Sequence, residues 1–170
     1  MKFQSLSSVA GINKAEFDCG NQEVNYFLIH QSDECEEKRL ARVFLMLSDE
    51  DELIGYYTLS NSKIPLSEIP NKYKRKMPNY PLPAILIGQF GIDKKWQGQG
   101  LSELLTGDMY SRIILSYNQS ASAFNVIIVE TQAEDEKARS FWHRQGFISF
   151  KKSPNSLFIP VEVIEREFYS

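Results

Sequence analysis

Two glycines separated by one residue stand between an apolar run and a run with helical periodicity, in the segment GIDKKWQGQGLS from Gly91 to Ser102. The first N–H groups of a helix have no carbonyl partner within that helix, and the helix dipole places positive partial charge beside them. Glycine lets a bound group approach the backbone closely. The segment therefore predicts a pyrophosphate site that is formed by backbone N–H groups at the start of a helix.

Two common nucleotide-binding patterns are not matched by this segment. A dinucleotide-binding fingerprint needs a third glycine at the position that Glu103 occupies. A P-loop needs Gly-Lys followed by Ser or Thr, and the segment contains no such sequence. Both interpretations therefore fail.

The composition is that of one ordinary domain. Of the 170 residues 42% are apolar, which is enough to fill one core, so we expect a single domain over residues 1–170. No apolar run approaches the roughly 18 residues that cross a bilayer, and the N-terminus has no signal-type apolar segment. We therefore expect a cytoplasmic protein without membrane contact. Two cysteines and two histidines, widely spaced, favour no metal site.

Hydrophobic periodicity predicts the elements that position the glycine segment. We expect a helix capped by Asn21, a hairpin, a central strand, a helix, a strand, a helix and final strands. The predicted bounds are Asn21–Glu37 for the first helix, Ala41–Leu47 and Leu53–Leu59 for the hairpin, Ala84–Ile92 for the central strand, Val126–Val129 for the next strand, and Phe147–Phe150 and Leu157–Val163 for the last strands. The proline-rich segment Lys63–Pro83 is predicted to be a loop that carries specificity.

Burial patterns complete this prediction. The central strand lacks polar alternation, so both of its faces should be covered. The helix after it should bury one apolar face, and the helix that begins at Glu134 and ends before Gly146 should bury another. The two predicted faces are Leu101, Leu104, Leu105, Met109 and Ile113, and Ala138, Phe141 and Trp142.

The glycine segment resembles the acetyl-CoA signature of the GCN5-related N-acetyltransferases, Gln/Arg-x-x-Gly-x-Gly/Ala. Gln97, Gly100 and Ser102 occupy its defined positions, and Ser102 is a small departure from Gly or Ala. The order of elements resembles this family too. The resemblance implies a mixed α/β fold, with a central, mostly antiparallel, V-splayed sheet flanked by helices.

Four further blocks resemble the toxin branch of this family, which acetylates aminoacyl-tRNA. They are FDCGN at Phe17–Asn21, IGYYTLS at Ile54–Ser60, PLPA at Pro81–Ala84, and ARSFW at Ala138–Trp142 followed by Gly146 and Phe147. The resemblance implies transfer of acetyl from acetyl-CoA to the α-amine of aminoacyl-tRNA, in a toxin that is paired with a ribbon-helix-helix antitoxin. It also implies a homodimer. An α-amine titrates near pH 8, about two units below a lysine side chain, so it needs no strong base.

The resemblance also assigns candidate residues. Those for acetyl-CoA are Phe90, Gly91, Ile92, Gln97, Gly98, Gln99, Gly100, Leu101, Ser102 and Phe141. The charge pattern, and not the resemblance, offers candidates for RNA phosphates, although a solvated surface is the simpler explanation of each run and the net charge of −3 gives no general attraction to nucleic acid: Lys72, Lys74, Arg75, Lys76, Lys94 and Lys95. Trp142 stands where the branch has a tyrosine that protonates the leaving thiolate. An indole N–H donates hydrogen bonds but gives up no proton near neutral pH, so we expect Trp142 at most to stabilise the thiolate.

The sequence leaves open which phenol could donate the proton and which function the protein has. Tyr56, Tyr57 and Tyr110 are possible replacements for the missing phenol, although core packing is the favoured explanation of each. One alternative function is acetylation of a small amine or of a protein lysine. Another is a catalytically weak acetyl-CoA-binding protein that acts through an antitoxin partner.

Overall fold

The computed structural model describes residues 1–75 and 77–169, except for the side chain of Tyr169. The strands are β1 (Lys2–Ser5), β2 (Arg42–Leu47), β3 (Leu53–Ile64), β4 (Leu82–Ile92), β5 (Val126–Glu130), β6 (Ile148–Ser149) and β7 (Ser156–Pro160). The helices are α1 (Gln22–Tyr26), α2 (Ser32–Glu37), α3 (Asn71–Lys74), α4 (Leu101–Gln119), α5 (Glu136–Arg144) and α6 (Val161–Tyr169). A π-helical turn, Phe27–Gln31, joins α1 to α2, and 3-10 turns lie at Leu6–Ser8, Leu66–Glu68 and Lys94–Trp96.

The strands form one seven-stranded sheet in the order β1-β2-β3-β4-β5-β7-β6. β4 pairs with β5 in parallel, whereas β1–β2, β2–β3, β5–β7 and β6–β7 are antiparallel. The parallel register runs from Ala84 opposite Val126 to Ile87 opposite Val129, and β4 continues beyond it to Ile92. The predicted mixed α/β fold with a mostly antiparallel sheet is confirmed.

Two compact units make up the chain. The first comprises residues 1–60 and 88–112, and the second comprises the rest of the described chain. The core of the first unit includes Leu28, Val43, Leu45 and Tyr56, all fully buried. The core of the second includes Ile64, Leu82, Val126, Ile128 and Phe158. The single domain expected from the length stays a prediction.

Local capping explains where two helices begin and where one of them ends. The Asn21 side chain accepts hydrogen bonds from the N–H groups of Glu23 and Val24, as the sequence predicted. Asp135 caps α5 in the same way, by accepting from the N–H of Ala138. α5 ends at Arg144, and Gly146 follows with a φ of +96° that glycine reaches easily; the N–H of Phe147 then bonds to the carbonyl of Trp142.

Two terminal elements differ from the prediction. β1 was not predicted, because KFQS has a weak pattern and becomes a strand only by pairing with β2 from Lys2 opposite Leu47. The predicted last strand, Leu157–Val163, is wrong beyond Pro160, where α6 begins. The run Val161–Ile164 fits a strand or a helix, and the structure buries Val161 and Ile164 at helical spacing.

Burial corrects three further predictions. β4 is not covered on both faces, since Gly88 is exposed and Gln89 and Phe90 are half-buried. Leu104 is 52% exposed and does not belong to the buried face of α4. α5 buries Arg139 and Trp142, whereas Ala138 and Phe141 are only half-buried. In each case the residue types in the sequence did not show whether a neighbouring element covers the side chains.

The segment Lys63–Pro83 is more ordered than a loop. β3 extends through Ile64, and a 3-10 turn and α3 follow before β4 begins at Leu82. Ile64, Ile69 and Leu82 are buried in the core of the second unit. Within the described residues, no helix is long and apolar enough to cross a membrane.

We predict that Gly55→Ala destabilises the protein by about 1–3 kcal/mol. A Cβ at Gly55 on β3 would lie 2.7 Å from the carbonyl oxygen of Gly91 on β4, and backbone cannot move aside cheaply. The free energy of unfolding in urea measures the effect. Gly107→Ala is the matched control, because its Cβ would meet no atom within 4 Å inside α4, and it should stabilise by about 0.5–1 kcal/mol. Equal unfolding free energies for the two variants would contradict the prediction.

Candidate active site

The glycine segment leaves β4 and enters α4 as the sequence predicted. After Ile92 come Asp93, the 3-10 turn Lys94–Trp96 and an exposed stretch to Gly100. Gly98 has a φ of +78° and Gly100 a φ of +74°, and a Cβ on either would meet no atom within 4 Å. Left-handed backbone explains why glycine is used here, and the open space leaves room for a ligand. The first N–H groups of α4 follow directly, so the segment has the predicted form of an anion site.

Asp93 holds the start of this segment in place. Its side chain is buried, with the residue 3% exposed, and both carboxyl oxygens accept backbone hydrogen bonds. Oδ1 accepts from the N–H of Lys95 at 2.9 Å, and Oδ2 accepts from the N–H of Asp18 at 3.1 Å. One side chain therefore joins the glycine segment to the residues before α1.

Gln97 makes a second connection between the same two segments. Its Nε2 donates to the carbonyl oxygen of Ile92 at 2.8 Å and to that of Cys19 at 3.0 Å. The sequence predicted Gln97 as an acetyl-CoA residue through the family signature. In the structure its side-chain amide is bonded to the protein backbone, once within the glycine segment and once in the FDCGN block.

An ion pair adds a third connection. Nζ of Lys94 lies 2.9 Å from Oδ2 of Asp18, and Asp18 also accepts from the N–H of Gly20 and from Nδ2 of Asn25. The hydrogen bond from Lys94 is the main cause that lowers the pKa of Asp18 to about 2. Lys94 was predicted to bind RNA phosphate, but here its charge is directed toward a carboxylate. The FDCGN block thus does more than cap a helix.

The end of β4 is crowded on the side that faces the FDCGN block. A Cβ on Gly91 would lie 3.0 Å from Sγ of Cys19, so a larger residue would require the Cys19 side chain to shift. Gly91 and Ile92 are buried and Phe90 is half-buried. Burial raises the pKa of the Cys19 thiol. Cys19 therefore serves packing here and is a poor nucleophile.

A groove that the sequence did not predict lies beside the same part of β4. It has a volume of about 430 Å³. Its lining combines amides, a carboxylate and aromatic rings: Gln22, Glu23, Tyr26, Phe27, Gln31 and Gln89. The ring of Tyr26, 57% exposed, lies 4.6 Å from that of His30, and the π-helical turn supplies Phe27 and Gln31. An α-helical periodicity would place these side chains at a different angle around the helix, because a π-helical turn contains one residue more than an α-helical turn.

Tyr56, Tyr57 and Tyr110 are buried. The hydroxyl of Tyr56 donates to the carbonyl of Val24 at 2.5 Å, and that of Tyr57 donates to Oδ2 of Asp108 at 2.6 Å. Burial raises the pKa of both phenols. The core interpretation is therefore the better one for Tyr56 and Tyr57.

Trp142 belongs to the second unit and is 3% exposed. Its ring packs edge-on at 4.9 Å from that of Phe141 and at 5.1 Å from that of Phe147. Arg139, on the same helix, donates to the carbonyls of Gln132 and Ala133 and thereby holds the loop that leads into α5. Arg139 was not predicted as a site residue, although a buried arginine is rare without such partners.

The predicted RNA-binding residues lie in both units. Lys72 and Arg75 are exposed and Lys74 is half-buried at α3, in the second unit, and Nζ of Lys72 lies 4.9 Å from the ring of Tyr73. Lys95 is exposed beside Lys94 in the first unit. Lys76 lies outside the described residues.

The histidines and cysteines form no common site. His143 is exposed, and its Nδ1 lies 3.1 Å from the carbonyl oxygen of Phe147. Cys19 and Cys35 are free thiols. Across residues 1–75 and 77–169, no group of three or more His, Cys, Asp or Glu side chains is placed to hold a metal ion.

Comparison with known proteins identifies relatives of this fold, although no protein-family model matches the chain. The probable toxin TacT of Sinorhizobium fredii is 25% identical over 157 residues, which cover 89% of this chain and 87% of that protein. A tRNA-acetylating toxin of Mycobacterium tuberculosis is 28% identical over 102 residues, which cover 60% of this chain and 58% of that protein.

Two solved structures resemble nearly the whole chain. AtaT in complex with acetyl-methionyl-tRNAfMet has a TM-score of 0.86 and 29% identity, with 98% of each chain covered. A tyrosine-to-phenylalanine variant of the AtaT toxin, bound to acetyl-CoA and to the C-terminus of the antitoxin AtaR, has a TM-score of 0.81 and 25% identity, with 99% and 98% covered. The sheet order, the glycine segment between β4 and α4, and these relatives agree. Over nearly its whole length the chain is similar to these acetyl-CoA- and tRNA-bound toxin structures.

Proposed function

We propose that this protein is an acetyl-CoA-dependent N-acetyltransferase that acetylates the α-amine of aminoacyl-tRNA, as the toxin of a toxin–antitoxin pair. The observation that carries the proposal is the exposed, left-handed glycine segment at the start of α4, on a fold whose solved relative AtaT is bound to acetyl-methionyl-tRNAfMet. Such a substrate is found in the cytoplasm, which is the location we propose. An antitoxin is the expected protein partner, as AtaR is for AtaT. A homodimer stays a prediction.

The residues present fit acetyl-CoA. Backbone N–H groups from Gly98 to Ser102 would bind the pyrophosphate, because the two glycines expose the backbone and no side chain fills the space above them. The peptide groups of Phe90, Gly91 and Ile92 would bind the pantetheine arm, and Phe141 would contact it. When bound, acetyl-CoA supplies the acetyl group as a thioester.

The groove beside β4 is the place we propose for the aminoacyl end of the substrate. Its lining contains one carboxylate, Glu23, and no cation. The Glu23 carboxylate can bind the protonated amine and accept its proton before the amine attacks. Tyr26 and Phe27 provide ring faces on which a base or an apolar side chain can stack. The exposed cations Lys72, Arg75 and Lys95 would contact phosphates, whereas Lys94 is already paired with Asp18.

We expect Trp142 to keep the rate of acetyl transfer low. An indole cannot protonate the leaving thiolate, so this step has to proceed without a general acid at that position. General acid catalysis contributes about 10²–10⁴-fold in rate, and a thiol with a pKa near 8.5 leaves without it, though more slowly. We therefore expect an active but slow enzyme.

Gly100→Val should abolish measurable acetyl-CoA binding in calorimetry. Valine disfavours the left-handed φ of +74° and would fill the open space where the pyrophosphate is proposed to lie. Gly11→Val is the matched control, because Gly11 has a φ of +75° and equally open surroundings in a different loop. Unchanged affinity in Gly100→Val would place the cofactor elsewhere.

Incubation with acetyl-CoA and a mixture of charged tRNAs, then nuclease digestion and mass spectrometry, should reveal N-acetyl-aminoacyl-adenosine. The logarithm of tRNA affinity should fall with the logarithm of salt concentration by about 0.7 per phosphate contact, and Lys95→Ala should reduce that slope. Lys38→Ala is the control, because Lys38 is paired with Glu34 on another surface helix. Turnover of a polyamine or a lysine peptide without any tRNA product would favour the alternative acceptors.

Trp142→Tyr should raise the acetylation rate or leave it unchanged. The phenol restores a group that can donate a proton, while the ring still fills most of the space beside Phe147. Trp142→Phe, which has no proton to give, is the control and should not exceed the wild-type rate. Single-turnover kinetics measures both. A tenfold fall in Trp142→Tyr would mean that the indole has a role of its own.

A further inference from the structure

Thr58, in the GYYT part of the block on β3, makes a contact that the sequence analysis did not assign. Its Oγ1 accepts a hydrogen bond from the backbone N–H of Gln89 on β4, at 2.9 Å. Thr58 is 2% exposed, so this bond is shielded from water. A strand N–H normally bonds to a carbonyl of the neighbouring strand, and here a side-chain hydroxyl also accepts from it.

The space around this hydroxyl is closed on the β4 side. A Cβ on Gly88 would lie 2.8 Å from Thr58 Oγ1, closer than real Cβ atoms come to their neighbours. The threonine rotamer has little freedom in a buried strand, so the hydroxyl cannot easily move aside. Gly88 and Thr58 therefore fit each other as a pair.

The bond also sets the direction of a peptide group. The N–H of Gln89 and the C=O of Gly88 belong to one planar trans peptide, so they point in opposite directions. Because the N–H points to Thr58, the Gly88 carbonyl points away from it, and Gly88 is exposed. This peptide stands just before Phe90–Ile92, the residues that the proposed function assigns to the pantetheine arm.

We infer that Thr58 is a positioning residue for acetyl-CoA: its hydroxyl holds the Gly88–Gln89 peptide so that the Gly88 carbonyl accepts a hydrogen bond from an amide of the pantetheine arm. The inference rests on the proposed function, since it needs acetyl-CoA at β4. Thr58 itself does not touch the cofactor. It acts through the peptide that it holds.

The test compares Thr58→Val and Thr58→Ser with the wild type by calorimetry with acetyl-CoA alone. Valine has nearly the shape of threonine but leaves the Gln89 N–H without this acceptor, so the dissociation constant should rise about tenfold. Serine keeps the hydroxyl and should stay within about threefold of the wild type. Amide hydrogen exchange of unliganded protein should show faster exchange at Gln89 in Thr58→Val and not in Thr58→Ser.

Tyr56→Phe is the control on the same strand. It removes a buried hydrogen bond, to the carbonyl of Val24, that does not involve β4. Its affinity for acetyl-CoA should equal that of the wild type even where its stability is lower. An equal loss of affinity in Tyr56→Phe and Thr58→Val would overturn the inference, because general destabilisation would then explain both.

A second measurement uses the fit between Thr58 and Gly88. Gly88→Ala should weaken acetyl-CoA binding about tenfold in the wild type, where the new Cβ meets the hydroxyl. In a Thr58→Ala background, where no hydroxyl stands in the way, the same change should have a smaller effect. Equal effects in the two backgrounds would show that the two residues are not coupled and would overturn the inference.

The outcomes separate the inference from the proposed function. If the wild type binds acetyl-CoA and folded Thr58→Val binds it equally well, the inference is wrong and the proposed function stands. A loss in Thr58→Ser as large as that in Thr58→Val would also refute it, since the hydroxyl would not be the cause. If the wild type does not bind acetyl-CoA, the proposed function and the inference both fail.

Discussion

The buried carboxyl group of Asp93 is the interaction on which the candidate site depends. A buried carboxyl group needs hydrogen-bond partners, and both of its partners are backbone N–H groups from segments that are distant in sequence, at Asp18 and Lys95. Gln97 and the Lys94–Asp18 pair connect the same segments. The residues before α1 and the residues before α4 are therefore fixed together, and the exposed glycines extend from a rigid base.

β3, the second strand of the hairpin, also supports the candidate site. Three residues of the GYYT sequence in β3 have separate hydrogen bonds, Tyr56 with Val24, Tyr57 with Asp108 and Thr58 with Gln89, and Gly55 has no room for a Cβ beside the Gly91 carbonyl. These contacts reach α1, α4 and β4, the three elements around the proposed cofactor and acceptor positions. The block is thus a scaffold for the site, and its tyrosines are not free to supply a catalytic proton.

The proposed chemistry depends on the backbone N–H groups of the glycine segment and on the absence of a proton donor at position 142. Binding of a pyrophosphate needs free N–H groups and close approach, and the glycine segment provides both without a basic side chain. Release of a thiolate is helped by a proton donor, and tryptophan at position 142 is not one. The proposed pyrophosphate site and the proposed proton transfer thus depend on different residues.

The sequence by itself determined the glycine segment, the cap at Asn21 and the order of the central elements, because these follow from local backbone needs and from short-range periodicity. It did not determine β1 or the helix after Pro160, since a weak or ambiguous pattern takes its conformation from the neighbour it packs against. Only the tertiary structure revealed the Asp93 and Gln97 bonds, the pairing of Lys94 with Asp18, and the groove at Gln89. The bonds between Asp93 and Asp18 and between Gln97 and Cys19, the Lys94–Asp18 pair and the groove join residues more than fifty positions apart, and no local pattern records such contacts.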